Sequence, residues 1–346
     1  MAMDHLTGPG PRPPRALLDP AAGVREIKLR PHQMAEPVTP AADLFVLAHF
    51  GVPRIDAARW SLIINGLVGR AVSLDYDDLL RRPATTVEAV HQCCGSPIEP
   101  TVPTRRVANV CWRGVDLAAL LDELGVDRRA RFLWAYGLDG GAFGGVSCDW
   151  FVKDLPLERL AAGDVLLAYE LNGAPLPPEH GFPVRLVVPG FYGTNSVKWL
   201  WRLHLAADRA ESPFTTTFYN DRAVPEAIAA GQPARRPVWA IAPEAVTVSP
   251  APNGEVSVGV PCAIWGWAWS CRGVSGVEVS VDAGASFARA VLEPRREWAW
   301  QRFSLTWWPS TRGAVQIQAR AFDADGTSQP ADGARNAVHS VLVTVT

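Results

Sequence analysis

Apolar positions along this chain change their spacing twice, and each change marks a different kind of structure. The first 40 residues are rich in proline and carry little periodic pattern, which predicts an arm lying on the surface or on a partner subunit. From Trp60 the run WSLIINGLVGRAVSLDYDDLL predicts a strand, a turn at Asn65-Gly66, a second short strand and a helix opened by Asp75. ATTVEAVHQCCG follows as a strand rich in β-branched residues that ends at Gly95. In GVDLAALLDEL, Gly114 to Leu124, the leucines Leu117, Leu120, Leu121 and Leu124 fall at helical spacing, and Gly125 closes the helix. Residues 131–205 give short strands (RFLWAY, VLLAYEL, VRLVVPG, VKWLWRLHL) broken by Gly, Pro and Asn. Many short strands with few helices predict an α+β domain over residues 41–222, not a doubly wound nucleotide fold.

After Asp221 the sequence loses its periodicity, which marks a linker at 223–240, and beyond it the pattern is all-β. Strands are expected at Ala245–Val248, Val256–Trp269, Val277–Val281, Ala288–Leu292, Trp298–Trp307, Ala314–Ala321 and Ser340–Val345. They predict an immunoglobulin-like sandwich over 241–346. Trp265, Trp267 and Trp269 alternate, as do Trp298 and Trp300, so each set shares a sheet face. A sandwich core takes some of these rings and a subunit interface the excess.

A length of 346 residues accommodates two such domains. The net charge of −2 comes without a basic block, which excludes nucleic acid and anionic membrane surfaces as partners. No apolar run approaches the roughly 20 residues of a membrane span, so no membrane insertion is expected. A small-molecule substrate or another protein is left as the expected partner. The start, MAMDHLTGPGPRPPRALLDP, lacks the apolar core of a signal peptide. Cytoplasmic residence is therefore expected, or periplasmic residence if a signal has been removed.

The search for chemistry begins with absences: there is no H-E-x-x-H, G-x-S-x-G, P-loop or G-x-G-x-x-G between strand and helix. Cys93, Cys94, Cys111, Cys148, Cys262 and Cys271 show neither the density of a disulfide scaffold nor C-x-x-C spacing, so most are expected to be buried thiols. Two segments remain. In HQCCGSP, His91 to Pro97, a strand end presents adjacent thiols at a turn, where one could be reactive or bind a soft metal. In Asn172 to Leu200, His180, Arg185 and Lys198 bracket a strand and the turn Gly193-Thr194-Asn195-Ser196, a set suited to holding a phosphate. Only three of the 33 basic residues are lysine, Lys28, Lys153 and Lys198, so a lysine here asks for a reason.

These segments resemble the sulfite oxidase family of molybdopterin-dependent oxidoreductases, which also includes plant nitrate reductases. The resemblance runs from about Ala41 to Thr346. It rests on LFVLAHFGVP, QCCG, CWRGVDLAALL, YGLDG, LLAYELNGAPLPPEHGFPVRLVVPG with SVKWL, and then GWAWS, VEVSVDAG and WAW. It implies an α+β molybdopterin-binding catalytic domain followed by an all-β immunoglobulin-like dimerisation domain, in a homodimer. Carried over by position, Cys93 would ligate molybdenum, with Cys94 packed nearby. Phe45, His49, Asp139, His180, Arg185, Ser196, Val197 and Lys198 would hold the pterin and its phosphate, and Tyr219 would stand beside the metal. The implied chemistry is oxygen-atom transfer at an oxo-molybdenum centre, with electrons leaving singly to an external acceptor such as a small cytochrome.

The chain departs from the family where substrate binds. Sulfite-oxidising relatives have an Arg-Asn pair before the histidine of the first motif, where this chain has Leu47-Ala48. They have an arginine soon after the ligand cysteine, where this chain runs Gly95-Ser96-Pro97-Ile98. Two guanidiniums facing the substrate are missing, and Arg272 is the candidate to supply one charge. A pocket walled by Leu47 and Ile98 would suit a neutral sulfoxide or N-oxide, so reduction of such a compound stands beside oxidation of sulfite. A non-catalytic binding protein that keeps the fold, and a metal-free Cys93-Cys94 thiol switch, are the readings from other classes.

Overall fold

The computed structural model describes residues 18–19, 29–96, 104–222, 225–231, 233–333 and 335–346. Lys28, Pro97 and Ile98 lie outside them. Strands β1 (Ser61–Gly66) and β2 (Val72–Asp75) lead into helix α1 (Tyr76–Leu80), and the Asp75 carboxylate caps it by accepting from the Asp78 amide at 2.7 Å. Strand β3 (Ala84–Gln92) pairs along its whole length with β4 (Val107–Asp116). It ends at Gln92, short of Gly95, because the Cys93 amide makes a single bond to the Arg106 carbonyl and the chain then turns. Helix α2 (Leu117–Leu124) starts later than Gly114 because Gly114 to Asp116 continue β4. Its buried leucines Leu117, Leu120, Leu121 and Leu124 are those the spacing predicts, and Gly125 at φ +74° ends it.

The other strands of its two main sheets are β5 (Phe132–Gly137), β6 (Val152–Pro156), β7 (Leu166–Leu171), β8 (Ala174–Pro175), β9 (Arg185–Val187) and β10 (Leu200–Ala206). They form two sheets, of order β6-β5-β10-β1-β2 and β8-β7-β4-β3, with β9 pairing β7. The pairing is antiparallel except between β10 and β1. Leu62, Ile64, Leu117, Leu121, Leu167, Leu186 and Leu203 fill the core between them. This is the α+β domain expected.

The second part is a sandwich of two sheets. Its strands are β11 (Glu244–Ser249), β12 (Glu255–Val256), β13 (Cys262–Trp269), β14 (Val274–Ser280), β15 (Ala288–Arg289), β16 (Val291–Leu292), β17 (Gln301–Trp307), β18 (Gly313–Asp323) and β19 (Ser340–Val345). The sheet orders are β11-β13-β17-β16 and β12-β19-β18-β14-β15. The segment expected as one strand at Ala288–Leu292 splits into β15 and β16, one on each sheet.

Trp267, Trp269 and Trp300 do not fill the sandwich, nor are they left for a partner subunit. On β13 the small inner set Ile264, Gly266 and Ala268 faces Phe303; a Cβ on Gly266 would lie 1.9 Å from the Val246 carbonyl. Trp267 and Trp269 point the other way and join Trp300 in a buried cluster with Val90, Cys94, Val107, Tyr192, Val238 and Ile241, so they cement one domain to the other. Trp267 and Trp300 stack at 4.9 Å, and their indole N–H groups donate to the Met34 and Pro37 carbonyls at 2.7 and 2.9 Å. The described stretch 29–40 of the expected arm thus lies between the two domains of its own chain. The linker region is equally tied down, with Arg235–Pro237 pairing Asn220–Arg222 and the Trp239 carbonyl accepting from Tyr192.

Candidate active site

The end of β3 and three loops of the α+β domain border one cavity of about 80 Å³. Cys93 stands at its edge because β3 stops there. Its sulfur accepts a hydrogen bond from the Cys94 thiol and another from the Gly95 amide at 3.4 Å, with Arg106 and Arg335 in range. The Cys94 bond first, then the amide and the two guanidiniums, hold the Cys93 thiol down to about 6 in spite of burial. That pull favours the thiolate form of Cys93, a soft donor. Cys94, which gives that bond and is buried, is pushed the opposite way.

Opposite Cys93 is the loop after β9. Arg185 ties it together: its Nη1 donates to the His180 carbonyl and its Nη2 to the Ser196 carbonyl, both at 2.9 Å. The Ser196 hydroxyl accepts from the Val188 amide at 3.1 Å, and Lys198 Nζ donates to the Leu47 and Glu179 carbonyls at 3.1 and 2.9 Å. Asn195 faces away and braces the Tyr192 and Val238 carbonyls. A Cβ at Gly193 would meet the His91 ring at 3.0 Å, so the loop passes as close as a glycine allows. Phe45, His49, Asp139, His180, Arg185, Ser196, Val197, Lys198, Cys93 and Tyr219, all sequence candidates, line this single cavity.

The cavity is rich in buried positive charge. Burial, then the neighbouring Arg185, lowers Lys198 to about 7, and burial lowers Arg185 to about 9. Asp139, the nearby carboxylate, is raised by burial to about 7 against the pull of Lys198. Arg185 Nε also carries a buried N–H with no partner among the described residues. A buried guanidinium and an ammonium held by carbonyl oxygens, beside an acid whose ionisation burial disfavours, make a site suited to an anion. A phosphate would supply it.

His49 and Tyr219 form the third wall. The phenol oxygen and the His49 Nε2 are in hydrogen-bond contact, and the imidazole stacks on Phe214 at 5.5 Å. Burial and Lys198 lower His49 to about 4, while burial and then the two cysteines raise Tyr219 above its usual range, so both are neutral at pH 7. Tyr219 follows a short helix, Pro213–Thr216, capped by the Ser212 hydroxyl, and sits at φ +57°. That left-handed backbone, rare for an aromatic residue, aims the ring back into the cavity.

A second cavity adjoins the first through Leu47, Ala48, His49, Cys93 and Tyr219, and opens outward past Cys94, Arg106, Phe143, Asn220, Val238 and Arg335. Arg106 donates to the Gly95 carbonyl at 3.2 Å, and among the described residues no carboxylate pairs with it. Arg335 reaches in from the second domain, gripped by Asp221. Arg272 does not reach the site: it is 67% exposed and pairs with Asp325 at 3.2 Å on the surface. Its place is taken by Arg335, so the outer pocket is not stripped of cations.

Sequence reasoning did not select His91, Lys153, Arg106 or Arg335. Lys153 is buried, donates to the Phe214 carbonyl at 2.9 Å and lies 5.5 Å from the Tyr219 ring centre. The scarcity of lysine was its signal. Arg335 has none, since nothing near it in sequence marks a pocket.

Among the described residues no group of three or more His, Cys, Asp or Glu could hold a metal ion alone. A metal at Cys93 must arrive with ligands of its own, as it does on a dithiolene. The soft thiolate and the anion-deficient cradle fit a molybdenum cofactor with a phosphorylated tail. Cys93 would hold the metal, and His180, Arg185, Ser196 and Lys198 the phosphate.

Comparison with known proteins points the same way. A family model described as oxidoreductase molybdopterin binding domain matches residues 49–214, and one described as Mo-co oxidoreductase dimerisation domain matches 235–345. Sulfite oxidase of Gallus gallus is 30% identical over 95% of this chain and 76% of its own length. Mitochondrial sulfite oxidase of Mus musculus is 30% identical over 85% of this chain, which spans 57% of that protein. The solved sulfane dehydrogenase SoxCD from Paracoccus pantotrophus superimposes with a TM-score of 0.75 at 30% identity, covering 90% of this chain and 82% of that one.

Proposed function

The chain belongs to the sulfite oxidase family of molybdopterin-dependent oxidoreductases, and we propose on that basis that it oxidises a small sulfur oxyanion of the sulfite type. Each turnover adds one oxygen from water to the sulfur and releases two electrons and two protons, the electrons passing singly to an external acceptor such as a cytochrome. The bound cofactor supplies two-electron oxygen-atom transfer. The protein supplies the rest.

Cys93 would fix the metal, and the buried cations of the cradle would hold the phosphate; the junction of the two cavities lies at His49, Cys93 and Tyr219. Tyr219, protonated and in contact with His49, keeps a hydrogen-bond donor at that junction. Phe143 and the aromatic rings around His49 limit water on that side. The observation that carries an anionic substrate over a neutral sulfoxide or N-oxide is Arg106 with Arg335 in the outer cavity, beside Cys93.

The test is a comparison of substrates with purified, molybdenum-loaded protein. Sulfite oxidation coupled to ferricyanide should proceed, and Arg106→Met should raise KM for sulfite roughly 10- to 100-fold, the loss of a charge-assisted bond. Reduction of dimethyl sulfoxide or trimethylamine N-oxide without sulfite oxidation, and indifferent to Arg106→Met, would overturn the assignment. Pairing of two chains through the second domain is part of the same reading. Its support is the match to a dimerisation domain and the exposed Val260 and Trp308, 55% and 62% accessible on that domain. Light scattering on Trp308→Arg tests it, with monomers expected.

A further inference from the structure

We infer that Glu244, on the first strand of the second domain, is a positioning residue for the Cys93 thiolate and acts across the domain boundary through Gln92. The inference rests on reading Cys93 as the metal ligand. Gln92 is the last residue of β3, and the second domain grips both ends of its buried side-chain amide. Its Oε1 accepts from Trp269 Nε1 at 2.9 Å, and its Nε2 donates to Glu244 Oε2 at 2.5 Å. The same Nε2 lies 3.4 Å from the Ser96 carbonyl, on the other side of the Cys93 turn. The second carboxylate oxygen of Glu244 lies 3.3 Å from Arg105 Nε, with both side chains 1% exposed. The next residue, Arg106, gives its carbonyl to the Cys93 amide at 2.9 Å. One carboxylate therefore reaches the residue before Cys93 and, through Arg105, the neighbouring segment to which the Cys93 amide is bonded.

Adhesion between the domains does not explain this arrangement. The contact already has Val90, Val107, Trp267 and Trp300 to bury, and the buried Glu244–Arg105 ion pair carries a desolvation cost that apolar residues of similar volume would not. What the polar set adds is direction. An amide has one accepting and one donating end, and with an indole at the first and a carboxylate at the second, Gln92 has one orientation. The turn that carries Cys93 inherits it. In this reading the second domain does more than mediate pairing, because it completes the support of a ligand that belongs to the first.

Two variants test the link. Glu244→Gln keeps the shape and removes the charge, and Trp269→Phe keeps the ring and removes the donor. Val248→Ala, a cavity in the same apolar contact with no bond to Gln92, serves as the control. Three readouts are taken: alkylation of Cys93 by iodoacetamide in metal-free protein, located by peptide mass spectrometry, and in loaded protein the thiolate-to-metal absorption band and kcat. Both test variants should change the alkylation rate by about threefold or more, shift the band and lower kcat about 10- to 100-fold, as loss of an outer partner of a metal ligand does. Val248→Ala should lower the melting temperature and move none of these. Wild-type behaviour of both test variants, or an equal response of the control, overturns the inference. Should Glu244→Gln fail to fold, Trp269→Phe decides. If wild-type protein made in a cofactor-competent host holds no molybdenum, the reading of Cys93 as ligand fails, while the alkylation rates still report whether Gln92 steers that thiol.

Discussion

Replacing Lys198 with methionine should have opposite effects on the empty and the loaded protein. In the apoprotein the ammonium is largely buried, with two carbonyls and the nearby Asp139 for company, and its folded value near 7 lies well below the ordinary 10.5. Between those values the unfolded chain binds the extra proton and the folded chain does not, so stability rises with pH across the window. At about 1.4 kcal/mol per pH unit, reached only once the group is past its half-titration at pH 7, wild-type apoprotein gains about 2 kcal/mol between pH 7 and pH 9 from this group, roughly 4–8 °C in melting temperature. Lys198→Met removes that slope. Its apoprotein should therefore melt above wild type at pH 6.5 to 7 and lose the advantage by pH 9, where the neutral amine keeps bonds that methionine lacks. With cofactor bound the sign reverses, because the phosphate loses a charge-assisted partner worth roughly 1.5–3 kcal/mol, about 10- to 150-fold in retention. Calorimetry of apoprotein across that pH range, beside pterin and molybdenum content of loaded protein, reads both halves. A variant apoprotein less stable than wild type at pH 6.5, or one that retains cofactor as wild type does, would refute the picture of an anion-starved cradle.

Arg272→Ala should leave sulfite turnover unchanged and stability within about 0.5 kcal/mol, because the side chain is exposed and its ion pair is solvated; steady-state kinetics and urea titration check this. Lys153→Met should keep the pterin yet lower kcat about 2- to 30-fold, since a cation under the Tyr219 ring contributes roughly 0.5–2 kcal/mol, seen by comparing kcat with cofactor content. Trp300→Ala removes a stacked ring and an indole donor from the contact between the domains and should cost about 3–5 kcal/mol, read from the urea midpoint.

What could be read from the chain alone was what neighbours in sequence decide. Asp75 before α1, Gly125 after α2 and the alternation of Ser340–Val345 act within a few residues, and each is where its element begins, ends or runs. The cradle was legible for a related reason: His180, Arg185 and Ser196 to Lys198 sit on one strand-and-turn unit, so their spacing already brings them together. The tryptophans show the limit. Alternation says that Trp267 and Trp269 share a face, but the partner of that face, Met34, Val90 and Val107, lies far away in the chain and leaves no mark on the local pattern. Arg335 and Arg272 differ in the same way. Both are arginines in turns of the second domain, and only the docking of the domains decides that one meets Asp221 at a cavity mouth while the other meets Asp325 in solvent.

The bond from Gln92 to Glu244 spans 152 residues. A ribosome working at about 5–20 residues per second needs on the order of 10–30 s to deliver the second partner after the first. Throughout that interval the nascent β3 and its terminal thiol exist without their clamp, and the arm that will later lie between the domains has only one of its two surfaces to meet. Final closure of the pocket is thus a late event in biosynthesis, timed by translation of the carboxy-terminal half.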